Sequence, residues 1–429
     1  MNRNYGMISL VILVFFVISF LTNIIGPLIP DIIQSFQLSR AMTGLLPFAF
    51  FIAYGVTSIP AGMVLEKYRE KKVMLFAFVM AFSGALLFSI FPSYTVVLFS
   101  LFMIGVGMAI LQVAINPLLR VSGGEEHFAF YSILAQLAFG LASFLSPQVY
   151  SYLVSEIDGG KTENAMITLF SSIVPEGLSW VSLYWVFSVV CVAMIVVIAF
   201  VKFPKVELKE DEKSGGVDTY KTLFSNKTVW LFFVAIFCYV GLEQGIANWI
   251  SEFLQTYHGV DPRVGGANAV SSFWGLLTVG CLLGLFLVKI IDSRRVLILF
   301  STLCFISLGL AFFGSKSIAL FAFPACGFFA SVMWSIIFSL ALNSMKEHHG
   351  SFSGILCSGI IGGAIMPLIV GILADAFGLK GGMLFLFFPL GYILSIGFWA
   401  RPLVQNATIS RKSKDEHTAP IENDAISIN

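Results

Sequence analysis

Charge is what this sequence has least of. Of its 429 residues only 11% are Asp, Glu, Lys or Arg, 24 acidic and 25 basic. A soluble domain carries roughly 25% charged residues, so too little charge is present to cover a water-facing surface. Cysteine is sparse and unpatterned: Cys191, Cys238, Cys281, Cys304, Cys326 and Cys357 all lie in apolar stretches and form no CxxC pair. They read as small buried hydrophobes rather than as metal ligands or disulfides. No basic tract interleaves with aromatics and the net charge is +1, which leaves nucleic acid without a footprint. Zinc-protease, P-loop, nucleophile-elbow and dinucleotide motifs are missing. An enzyme reading therefore has no residues to stand on, and no metal or organic cofactor is expected. Ten-residue polar–apolar alternation is absent too, which argues against a β-barrel. The apolar run that starts at Ile8 continues past signal-peptide length without a small-residue cleavage site, so it reads as a retained first span.

What the chain does have is long apolar runs; 58% of it is hydrophobic. About 20 such residues cross a bilayer as a helix. Twelve stretches qualify: 7–34, 42–64, 73–91, 95–120, 128–154, 180–203, 228–256, 267–290, 295–313, 317–344, 351–375 and 381–401. The first is expected to break or end near Pro27 to Pro30. With the N-terminus inside, 20 of the 25 basic residues fall on the cytoplasmic side, leaving Arg40, Lys161, Arg263, Lys316 and Lys380 outside. That bias puts both termini in the cytoplasm. A shift of 222 residues superimposes Gly62 on Gly284, Lys67 on Lys289, Lys72 on Arg294, Gly105 on Gly327, His127 on His349 and Gly140 on Gly362. The expectation is an all-α membrane protein with twelve transmembrane helices in two pseudo-symmetric six-helix halves, 1–203 and 228–401. A cytoplasmic linker at 204–227 joins them, and 402–429 reads as a disordered cytoplasmic tail. Parallel repeats of this kind belong to transporters.

Three motifs carry chemistry. The turn after the second span holds Gly62, Glu66, Lys67, Arg69, Lys71 and Lys72. It resembles the major facilitator signature G-x-x-x-D-[RK]-x-x-x-[RK]-[RK], with Glu66 in place of Asp. Its ion pairs suit a gate, and Lys289 and Arg294 echo it; an ordinary basic turn is the plainer reading. In the fourth span Gln112 and Asn116 lie on one helix face before Pro117. Two uncharged amides suit a polyhydroxylated solute and equally suit helix–helix hydrogen bonds. The seventh span holds Glu243, an acid near mid-span, with Gln244, Asn248 and Trp249 beside it. A charge there costs about 2.5–3.5 kcal/mol on insertion scales, so it faces a cavity or a partner. Asn23, Tyr54, Gln136, Asn268, Trp274 and Trp334 complete the set expected to line a central cavity. His127 reads as a capping or gating group at a helix end.

Together these residues resemble the fucose–galactose–glucose:cation symporter family of the major facilitator superfamily. The likeness rests on Ile59 to Gly62, Gln112 to Pro117, His127-Phe128, Leu134 to Gln136, Phe237 to Gly241, Ile336 to Leu340 and Ile360 to Pro367. It implies a hexose or deoxyhexose carried inward on an H⁺ or Na⁺ gradient by a monomer in the bacterial inner membrane. It also implies sugar contacts from Gln136 and Trp334. Fucose members couple protons through an Asp in the first helix and a Glu in the fourth; those positions fall here on Asn23 and Gln112, and neither amide can carry a proton. Glucose and galactose members share the Gln. Glu243 is then the expected coupling residue; without it the chain is an uncoupled facilitator. A carrier or exporter of another small solute, and a non-transporting sensor, stand as alternatives.

Overall fold

The computed structural model describes residues 4–123, 128–160, 164–203, 217–345 and 348–403. Among them the chain is helical, without strands. Span one comprises α1 (Tyr5–Thr22) and α2 (Ile25–Phe36). Spans two to five are α3 (Arg40–Lys67), α4 (Glu70–Ile90), α5 (Tyr94–Gly123) and α6 (Phe128–Asp158). A short α7 (Ala165–Ile173) precedes span six, α8 (Ser182–Phe200), and α9 (Val217–Phe224) lies in the linker. Spans seven to nine are α10 (Lys227–His258), α11 (Ala267–Ile290) and α12 (Ser293–Phe313). Span ten is split into α13 (Lys316–Ala330) and α14 (Met333–Leu342). Spans eleven and twelve run through α15 (His349–Ser358), α16 (Gly362–Leu384) and α17 (Phe387–Trp399).

The chain reverses inside α16 at Gly378, whose φ of 76° favours glycine. Beyond it, Gly382 packs against the Val370 carbonyl and Ala374, which a straight helix does not allow. Eleven helical stretches among the described residues are long and apolar enough to cross a membrane, and the reversal at Gly378 divides the last, Ser351–Trp399, into two, which makes twelve crossings. Side-chain caps close several ends: Ser39 accepts from the Met42 N–H, Asn226 from Thr228 and Asp292 from Arg294. The tail beyond residue 403 and most of the linker lie outside the described residues.

The repeat is visible in the packing. Gly105 of span four sits against the Phe50 carbonyl of span two, and Gly327 of span ten against the Phe273 carbonyl of span eight. A Cβ at either glycine would enter that carbonyl, so the same close crossing recurs in both halves.

Two expectations on helix continuity are corrected. Span one breaks at Asn23–Ile24, one turn before Pro27. Proline has no N–H for the carbonyl four residues back and its ring collides with it; for Pro27 that carbonyl is Asn23's. Both prolines sit within α2 itself. Span ten, expected as one helix, breaks at Ser331–Val332. The Ser331 carbonyl, at the break, accepts from the Cys281 thiol at 3.2 Å. Span eleven is also interrupted, by a tight 3₁₀ turn at Gly359–Ile361.

Candidate functional site

The centre of the molecule is built on span seven. Tyr239 and Glu243, four residues apart, share a helix face, and the Tyr239 hydroxyl donates to Glu243 Oε2 at 2.5 Å. Gln244 Nε2 donates to Glu243 Oε1 at 3.3 Å, and Asn248 Nδ2 to Gln244 Oε1 at 3.4 Å. Glu243 is half-buried, while Tyr239, Gln244 and Asn248 are buried. Across from it stands Trp334, in the first turn after the span-ten break. Its ring lies 6.0 Å from that of Tyr239 and stacks on Phe338. Cys281 of span eight is a near neighbour of Glu243. A carboxylate, a phenol, an indole face and amide groups thus meet beside two helix breaks, where discontinuous helices form solute sites in transporters.

The other expected residues divide. Trp274 is buried on span eight and its indole N–H has no protein partner among the described residues. Gln136 is exposed, and Gln112 is half-buried with a partner of its own. Asn23 is buried inside the first half, donating to Ser143 at 2.9 Å and to Ser19 at 3.3 Å. Its amide therefore ties span one to span five in this state. Two residues expected in the cavity are used for packing. The Trp249 N–H donates to the Pro367 carbonyl at 3.2 Å and its ring is fully buried between spans seven and eleven. Asn268 accepts from Gln148 at 2.8 Å, bridging the halves away from Glu243. The side chains of Glu66, Lys67, Asn116 and Lys289, and all of His127, lie outside the described residues.

The gating residues that are described act within their own half. Lys71 Nζ binds the Ala199 and Val201 carbonyls at 2.7 and 2.9 Å, at the end of span six. Arg294 binds Asp292 beside it and the Ala400 carbonyl at the end of span twelve. Cations there satisfy exposed helix-end carbonyls. Gly62 lies in the last turns of α3, half-buried.

The ion pairs that join the halves lie at the opposite end, here called the outer end, and were not anticipated; apolar packing of span two on span eleven continues inward to Gly55 on Ile361. Arg40, opening span two, reaches Glu252 of span seven at 3.1 Å. Both carboxylate oxygens of Asp375, on span eleven, accept from the Arg40 and Ala41 N–H groups at 2.8 Å. One half thus caps a helix of the other. Arg263, opening span eight, reaches Asp31 of span one at 3.1 Å and also pairs with Asp158 of span five. Tyr150 donates to Asp31 from the other side. The arginines are 223 residues apart and the two buried acids 221, either side of the repeat length. Each half's arginine therefore crosses to the acid of the other. Below this layer Gly26 packs on Ala247 and Asn248, Gly44 on Leu368 and Gly140 on Thr278. The outer end is closed. The available signal was that Arg40 and Arg263 are two of the five basic residues on a side otherwise poor in them.

Twelve crossings, broken helices and a polar cluster built on span seven define a multi-pass membrane transporter. A family model described as Major Facilitator Superfamily matches residues 11–358. A glucose/galactose transporter of Brucella abortus is 32% identical over 410 residues, covering 92% of this chain and 94% of the relative. The L-fucose-proton symporter of Escherichia coli is 25% identical over 380 residues, covering 85% and 86%. The crystal structure of FucP, a major facilitator transporter in the outward conformation, superposes with a TM-score of 0.65 at 22% identity, covering 92% of this chain and 98% of that one. The chain belongs to the major facilitator superfamily, in the family that holds these glucose/galactose and fucose transporters.

Proposed function

We propose that the protein imports a hexose or deoxyhexose, coupled to H⁺ or Na⁺, by alternating access. The observation that carries this reading is Glu243, a half-buried carboxylate hydrogen-bonded by Tyr239 and Gln244, with the Trp334 ring 6.0 Å from that of Tyr239. Aromatic faces take the C–H faces of a sugar and amides its hydroxyls; Trp334, Trp274 and Gln136 are the contacts we assign. The relatives' names support the substrate class. Protonated, or paired with Na⁺, Glu243 loses its burial penalty and lets the loaded carrier close; empty and charged, it resists occlusion. Coupling then follows from a differential affinity of cation and sugar for the two states. The basic end is the cytoplasmic one, with both termini inside, in the bacterial inner membrane. The units are residues 1–203 and 228–401, moving as halves of a monomer around the linker. An uncoupled facilitator is the second reading, favoured by Asn23 and Gln112 standing where fucose members carry acids.

The test is uptake of labelled hexoses into proteoliposomes, with and without an H⁺ or Na⁺ gradient, for the wild type and Glu243→Gln. Concentrative uptake that falls to exchange in the variant supports coupling at Glu243. Equilibration indifferent to gradient and variant makes the protein a facilitator. A folded protein that moves no sugar overturns the substrate class.

A further inference from the structure

Spans two and three leave a groove between them. Both α3 and α4 pack extensively on α5 but touch each other only slightly. They are joined by the tight turn at Tyr68–Arg69, so they diverge from it like the arms of a V. The gap is a cavity of about 380 Å³, lined by Thr57, Pro60, Ala61, Val64, Phe76 and Ile110. Ile110 of α5 forms its floor. Val64 and Phe76 are exposed, and so are Val56, Met63 and Val79 on the same two helices. In a multi-pass protein such a wall meets acyl chains rather than water.

One end of this apolar groove is basic. Lys72, exposed, lines it, and Arg69 is exposed one turn away. Lys71 is committed to the end of span six, and Glu70 is the acid of the same turn. Tyr68 lines the same end. An apolar slot at bilayer depth with a cation at its rim matches one molecule: an acidic phospholipid, its chain between the spans and its phosphate at Lys72. We infer that the groove between spans two and three is a binding site for an acidic phospholipid of the leaflet at the basic end. A lipid wedged there reads the angle between α3 and α4, and α3 carries Arg40 of the outer closure at its other end. Occupancy therefore bears on how the first half presents itself to the second. The inference stands apart from the identity of the solute.

The test is lipid retention on the full chain. The protein is reconstituted in vesicles of phosphatidylglycerol and phosphatidylcholine in equal parts and extracted in mild detergent. The lipid that stays bound is then counted by native mass spectrometry. The wild type is expected to retain phosphatidylglycerol in preference to phosphatidylcholine. Lys72→Gln is expected to reduce that preference about fivefold, the worth of one basic residue at an anionic surface. Val64→Trp fills the slot from its exposed rim and is expected to lower retention of both lipids. Elution at the wild-type volume shows that each variant is folded. Equal retention of the two lipids by the wild type, or a preference unchanged in Lys72→Gln, overturns the inference. So does undiminished retention in Val64→Trp.

Discussion

Replacing Arg263 with glutamine should open the outer end. The substitution takes the cation from Asp31, whose side chain is 5% exposed, and from Asp158. Removing one partner of a fully buried pair costs about 3–5 kcal/mol, because the other charge stays buried alone. Arg263 is itself 34% exposed, and water screens part of the interaction, which brings the figure to about 1–3 kcal/mol. That loss falls on the outer-closed state alone, since these partners separate when the outer end opens. The ratio of closed to open molecules should therefore drop about 5–150-fold. By the symmetry of the two latches, Arg40→Gln should do the same, with Glu252 left behind at 9% exposure. Pairing Arg263→Gln with Asp31→Asn should cost less than the sum of the two single changes, because the pair is lost only once. The assay is a distance distribution between spin labels at Met42 and Val264, exposed positions at the outer ends of the two halves. A longer-distance population should appear in both single arginine variants and shrink in the double variant. Distributions identical to the wild type in both would refute the reasoning and reduce the latches to surface decoration.

Two further outcomes follow from the same geometry. Gly26→Val should weaken outer closure, because even a Cβ at that position enters the Ala247 carbonyl. Overpacking of this kind costs about 1–3 kcal/mol, and the same spin-label pair should report it while the fold, followed by thermal unfolding, is retained. Trp334→Ala should raise the half-saturation concentration for sugar about tenfold by removing the aromatic face. Measured by equilibrium binding, an unchanged affinity would place the sugar elsewhere and leave Trp334 as a prop for Tyr239.

Much of the fold was legible because lipid is a demanding solvent. It forces every backbone group into a helix, so hydropathy alone yields the number of crossings. The 222-residue repeat was legible because the same glycine crossings, Gly105 on Phe50 and Gly327 on Phe273, serve both halves. Glu243 stood out because a charge at mid-span is costly and few tolerate it. Its partner Tyr239 was within reach of the same argument, four residues back on one face. The break in span one was misplaced by a turn because a proline acts on the carbonyl four residues before it, and the eye stops at the proline.

What the tertiary structure alone decided is which polar groups are spent and which are free. Trp249 and Trp274 are both buried indoles, yet one donates to Pro367 and the other has no protein partner among the described residues. Asn268 bridges the halves, while Asn23 is tied inside one. The outer latches set Arg40 against Glu252 and Arg263 against Asp31, residues 212 and 232 positions apart in the chain. No local pattern marks such pairs, because they exist only where residues more than 200 positions apart in the chain are brought together. Composition and periodicity report what each helix is in contact with on average, lipid or protein. The pairing of individual donors and acceptors depends on how the helices cross, and that is settled by packing.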